Sequence, residues 1–219
     1  MNFGQLQTAV RDLLGEDSAG FYSAAMLKRW VNLAAKSVYN RIDQANQRYF
    51  MTTGTITLVA SQELYNLPNT NAVLRVVLVE RTDQSVPFNL KPKDVTVKND
   101  FRRDNAANLE SLEMVYFFAG NQIGFAPIPN AAATAAIKVW YIPPFTDLSA
   151  DGDTLPAAWT ENHHEIIVWE ACCKMSRRPR EDLIPWLTVR NQLREDLIAE
   201  VQDRQVQEPM TVEPPVDSY

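Results

Sequence analysis

The chain has 219 residues, 46% of them hydrophobic and 22% charged, with 21 Lys and Arg against 27 Asp and Glu. That length allows one large domain or two small ones, and a formal charge of −6 disfavours ordinary DNA or RNA binding. Two adjacent cysteines, Cys172 and Cys173, exclude a disulfide framework and fit a reducing compartment, while only 7 glycines argue against a phosphate-cradling loop.

The N-terminal part is expected to be helical. Asn2 is a candidate cap for a helix in which Phe3, Leu6, Val10 and Leu13 recur every three or four residues, with Gly15 as its stop. Ser23 is a second cap, and Leu27, Trp30, Leu33 or Ala34, Val38, Ile42 and Ala45 form the next stripe. From about residue 53 the period changes to two: Ile56, Leu58 and Ala60 alternate with Thr55, Thr57 and Val59, as in a half-buried strand. Residues 73–79 form a short β-branched run. Residues 112–118 and 122–126 flank Ala119-Gly120-Asn121 and predict a hairpin. Residues 136–142 predict a further strand, which Pro143-Pro144 stops. The polar stretch 93–110 reads as a surface loop.

Helices return near Thr160. The run from Ile166 to Met175 is apolar around most of its circumference, so the helix is buried on several sides, one of them open to a neighbouring subunit. Lys174, Arg177, Arg178 and Arg180 end this helix and Glu181 and Asp182 open the next, which suits both helix dipoles and needs no phosphate ligand. Pro185 is expected in or before the first turn, followed by Val189, Leu193, Leu197 and Val201 at four-residue spacing. Residues 207–219 hold three prolines, three acids and no base, and read as an extended arm.

The fold class expected from these elements is α+β. A helical bundle of two N-terminal helices (1–52) and two C-terminal helices (157–206) receives an inserted antiparallel β domain (53–156) and ends in an extended Pro-rich acidic arm (207–219). The first twenty residues show no secretory signal, and no apolar stretch has the length to span a membrane.

No motif predicts chemistry. His163 and His164 are adjacent, so on a helix they diverge by about 100° and cannot chelate one ion. Cys172-Cys173 lacks the spacing of a zinc site. The loop Asp147-Leu-Ser-Ala-Asp-Gly-Asp153 half resembles a calcium loop, but Ala158 stands where the bidentate Glu belongs. Asp147, Asp151 and Asp153 would matter to a carboxylate hydrolase only beside another acid in a cleft. The tryptophans Trp30, Trp140, Trp159, Trp169 and Trp186 read as core by default. The expectation is therefore no enzyme, with no catalytic residue, metal or cofactor.

Several short motifs nevertheless follow one another in a familiar order. Phe21-Tyr-Ser23 leads into Leu27-Lys-Arg-Trp-Val-Asn-Leu-Ala34. Tyr65-Asn-Leu-Pro68, Ile123-Gly-Phe-Ala-Pro-Ile-Pro129, Val139-Trp-Tyr-Ile142 and Leu155-Pro156 come next, ahead of the terminal helix pair. Over about residues 3–206 this order resembles the head-to-tail adaptor proteins of tailed bacteriophages, the tail tubular protein A type.

The resemblance implies a structural virion protein, made in the host cytoplasm and placed at the capsid-tail junction. It implies a homo-oligomeric ring, dodecameric in that family, which joins the portal protein to a downstream tail or nozzle protein. Such a ring extends the channel for double-stranded DNA during packaging retention and ejection, without sequence-specific binding and without a membrane. By position, the arm is the portal-binding element, with Met210, Val212, Pro214, Pro215, Val216 and Tyr219 as its contacts. Ile166, Trp169, Cys173 and Trp186 are the candidate subunit contacts, since a helix apolar on most sides suits lateral packing between copies. The alternatives are another connector ring, such as a stopper or tail-completion protein, or a carbohydrate- or peptide-binding β module. The signature of that module would be Tyr116, Phe118 and Trp140 on one exposed face.

Overall fold

Asn2 starts helix α1 (Phe3–Leu14) with a reciprocal cap: its side chain accepts from the Gln5 backbone N–H, and the Gln5 side chain accepts from the Asn2 N–H, each at 2.8 Å. Two further N–H groups at this end donate to a distant loop, Phe3 to the Asp153 carbonyl and Gly4 to that of Asp151, both at 2.8 Å. Gly15 ends the helix at φ +71°, a conformation that favours glycine. The computed structural model describes residues 1–16, 21–68, 75–83, 87–97, 114–156, 159–176 and 180–206. It divides into two units, one joining residues 1–49 to the described residues from 145 onward and the other spanning Phe50–Pro144.

The first unit is helical. Helix α2 (Ala24–Ala45) is capped by Ser23, α3 (Glu161–Met175) follows Thr160, and α4 (Arg180–Val206) closes the described chain. Phe3, Leu6 and Val10 of α1 are buried, as are Leu27, Val31, Ala34, Ala35, Val38 and Ile42 of α2. The α2 stripe therefore runs through Ala34 and not through Trp30 and Leu33; Leu33 is 40% exposed. Helix α3 packs against α1, α2 and α4, which is why it is apolar on several sides.

Helix α4 departs from the sequence reading twice. It begins at Arg180, so Pro185 lies past the first turn, at the loss of one i→i−4 hydrogen bond. Val189 is 40% exposed although Leu197 and Val201 are buried. Four-residue spacing advances about 40° per step on a 3.6-residue helix, so twelve residues carry the stripe about 120° around it.

The second unit holds two four-stranded sheets. One, in the order β1-β8-β3-β4, contains β1 (Thr52–Leu58), β3 (Arg75–Arg81), β4 (Phe88–Asn89) and β8 (Ala133–Ile142). The other, in the order β2-β7-β6-β5, contains β2 (Leu64–Asn66), β5 (Lys91–Pro92), β6 (Val115–Ala119) and β7 (Gln122–Ala126). All pairs are antiparallel except β5 with β6. The expected hairpin is β6-β7, turning through Gly120-Asn121 with Ala119 opposite Gln122. The α+β class expected from the sequence is observed.

One cluster joins the two sheets, with Ile56, Leu58, Val79, Ile137 and Val139 from the first and Tyr65, Tyr116, Ile123 and Phe125 from the second. Tyr65, from the Tyr65-Asn-Leu-Pro68 motif, pins the turn that precedes it. Its hydroxyl accepts from the Val59 N–H at 3.1 Å and lies 3.0 Å from the carbonyls of Val59 and Gln62. Gly124, from the next motif, sits opposite Phe117, and a Cβ there would fall 2.3 Å from that ring. The glycine is required by this close approach.

Candidate functional site

The chemistry of the helical unit centres on Glu170. Its side chain lies in the otherwise apolar stretch of α3, and the residue is 2% exposed. Arg194 Nη2, one helix away on α4, lies 2.6 Å from both carboxylate oxygens. Lys174, one turn along α3, approaches to 3.4 Å, and Arg190 of α4 to 3.8 Å. Ser37 of α2 donates its hydroxyl to Oε1 at 3.3 Å. Burial alone would raise the Glu170 pKa, but Arg194, Lys174 and Arg190 outweigh it and hold the carboxyl below its ordinary 4.5. Arg41 of α2 joins the same field, its pKa lowered by burial first and then by Arg194 and Arg190. One carboxylate thus ties three helices together and leaves the cations in excess.

Of the candidate subunit contacts, three keep open surface and one does not. Ile166 is 1% exposed and faces the interior of its own unit. Trp169, Cys173 and Trp186 are half-buried, and the Trp169 and Trp186 rings meet edge to face with centroids 5.7 Å apart. Cys173 lies within the field of Arg190 and Arg194, and burial raises its pKa. On the same helix α4, Ile184 is 58% exposed. The arm residues Met210, Val212, Pro214, Pro215, Val216 and Tyr219 lie outside the described residues, as do Arg177 and Arg178.

The acidic loop serves the fold. Asp153 accepts the backbone N–H groups of Ser149 and Ala150 at 2.7 and 2.9 Å, and these bonds lower its pKa. Asp151 bridges α1 to α2, accepting from Gln7 at 3.1 Å and pairing with Lys28 at 3.2 Å; these partners lower its pKa in turn. Asp147 is exposed. Among the described residues no group of three or more His, Cys, Asp or Glu side chains is placed to hold a metal. His163 is buried; its Nδ1 accepts the Thr160 N–H at 2.8 Å, and its ring packs on Trp159 and Tyr49.

The three aromatics of the β unit do not form one platform. Tyr116 and Phe118 belong to β6, where their rings touch at 5.6 Å, whereas Trp140 belongs to β8 in the other sheet. Even numbering aligns residues within one strand and says nothing about two strands in different sheets. Tyr116 is buried and Phe118 exposed. Trp140 donates from Nε1 to Glu80 at 2.6 Å, and Lys138 stands 4.2 Å above its ring. A cleft beside Met114, Pro127 and the Arg81–Asp83 pair encloses about 90 Å³, well under the roughly 300 Å³ at which small-molecule sites begin.

Glu170 is not among the residues that the sequence motifs mark, although a signal is present. It is the one acid within the run Ile166–Met175, and Arg190 and Arg194 stand four residues apart on the following helix.

These features define a class of protein with helices fastened by a buried ion network, a two-sheet β unit, and exposed apolar and charged surface. The family described as SU10 adaptor protein matches residues 1–213, and the chain belongs to it, consistent with a phage head-to-tail adaptor. A comparison with curated proteins finds no match. No helix among the described residues is long and apolar enough to cross a membrane.

Proposed function

We propose that this protein is the ring-forming adaptor that joins the capsid portal to the tail and continues the DNA channel between them. Membership of the SU10 adaptor family over residues 1–213 is the observation that carries this reading. The ring is a homo-oligomer, dodecameric as the resemblance implies, in which Trp169, Cys173 and Trp186 stand at or beside the contacts between copies. Their half-burial supports this placement: each keeps apolar surface open that a neighbour would cover. The arm at 207–219 binds the portal through Met210, Val212, Pro214, Pro215, Val216 and Tyr219. Extended proline-rich chain suits docking along a partner's groove. A downstream tail protein occupies the opposite end of the ring. Net negative charge lets double-stranded DNA pass without the counterion-releasing contacts that would hold it.

Native mass spectrometry of the chain, alone and with the portal protein, tests the reading. The expected result is a closed ring in at least one condition, and loss of portal binding on truncation after Val206 with the far-UV spectrum of the helices retained. A chain that stays monomeric in both conditions sinks the ring. Unchanged portal binding by the truncated chain sinks the arm.

A further inference from the structure

The Glu170 network is unbalanced. Lys174, Arg190 and Arg194 share one carboxylate among the described residues, and Arg41, which feels the charges of Glu170, Arg190 and Arg194, makes no ion pair or hydrogen bond of its own there. These cations are not sealed off: the Arg190 and Arg194 side chains are each 19% exposed and that of Lys174 31%. One carboxylate shared among four partly buried cations leaves them short of counter-charge among the described residues, and a carboxylate brought from outside would relieve that cost.

The same helix carries suitable carboxylates on its far side. At about 100° per residue, Arg190 and Arg194 lie about 40° apart, with Glu195 and Asp203 about 140° and 220° around α4 from Arg190. Glu195 and Asp203 are exposed and make no ion pair or hydrogen bond among the described residues. One helix therefore presents cations on one side and free acids on the other. A head-to-tail interface needs two such different, complementary surfaces on one chain, whereas a two-fold interface needs one surface that complements itself.

We infer that the rim formed by Arg41, Lys174, Arg190 and Arg194 is a carboxylate socket, filled by Glu195 from α4 of a second copy of this chain. The socket borders Cys173, so the ion contact is continuous with the half-buried contacts proposed above, and this inference rests on that ring reading. Charge pairing across such a contact sets register and direction around the ring, because a copy placed the wrong way round brings acid to acid.

The test uses the full chain, alone and on the portal, with association followed by sedimentation velocity at low and high salt. Association of the wild type is expected to weaken as salt rises. Arg41→Gln and Glu195→Gln are each expected to weaken it about tenfold, and the double variant to weaken it little further than either alone, as partners in one contact do. Far-UV spectra and melting curves accompany each variant. Glu195 is exposed, so its variant reports on the contact even if Arg41→Gln fails to fold. If wild type forms rings and Glu195→Gln forms them equally well, the socket assignment is wrong and the ring stands. If wild type stays monomeric under both conditions, the ring reading fails and takes the socket with it.

Discussion

The two units hold together by different means. The helical unit relies on specified polar contacts: one buried carboxylate gathers Arg194, Arg190, Lys174 and Ser37, and an acidic loop clamps the start of α1. The β unit relies on apolar contact between two sheets, with Phe117 laid over Gly124 and Tyr65 tying a turn. Polar networks fail abruptly when one member is removed, because the remaining members stay desolvated, whereas apolar cores lose stability in proportion to what is cut or overfilled. The contrast teaches where each kind of substitution should hurt.

The sharpest way to break it is Glu170→Ala. The change leaves Arg194, Arg190 and Lys174 without their carboxylate and is expected to cost about 3 kcal/mol in chemical denaturation, at the low end for a broken buried pair because the cations reach solvent. Next comes Gly124→Ala in the β unit. Its Cβ would meet the buried Phe117 ring, for an expected loss of about 2 kcal/mol, with faster amide exchange confined to β6 and β7. An equal loss of protection in α3 would contradict the division of labour. Tyr65→Phe removes one hydroxyl from the 59–62 turn and should cost about 1 kcal/mol in the same assay.

Acid sharpens the comparison further. Burial lowers the His164 pKa from 6.5, and hydrogen bonds lower those of Asp151 and Asp153 from 3.8. In each case the unfolded chain binds the proton more tightly, so stability falls as pH drops, first below 6.5 and again below 3.8. All three groups belong to the helical unit, while among the described residues of the β unit one carboxylate, Asp94, has its pKa lowered by its bonds to Thr96, so acid melts should start in the helices. His164→Asn should flatten the first decline; an unaltered profile would mean that His164 is not its source. The smallest effect concerns the thiols. Burial pushes the Cys172 pKa up to about 12, so alkylation at pH 8 should spare it and reach the half-buried Cys173, slowly.

Under the proposed ring reading, a chain of net charge −6 would give a passing duplex little to hold. Under the socket proposal, Arg41, Lys174, Arg190 and Arg194 are spent between copies and not on the nucleic acid.

Local rules made much of the fold legible. Asn2, Gly15 and Ser23 mark helix ends because their side chains, or glycine's lack of one, act within a single turn. The alternation of Ile56 and Leu58 marks a strand because neighbouring side chains point to opposite faces. The β6-β7 hairpin was equally visible, since its two-residue turn is a local event. Strands β2, β4 and β5 were not visible. At two or three residues each they are too short for periodicity, and pairing with β7, β3 and β6 is what makes them strands. The placement of Trp140 away from Tyr116 and Phe118 was hidden for the same reason, because sheet membership is a long-range property. Glu170 shows the limit most clearly. Its sequence neighbours mark it as an oddity, but its partners lie on α2 and α4, and only packing of those helices brings Ser37, Arg190 and Arg194 to one carboxylate. Periodicity and capping act over a few residues and could be read directly. The meeting of distant charges depends on which helices pack together, and tertiary structure alone decided that.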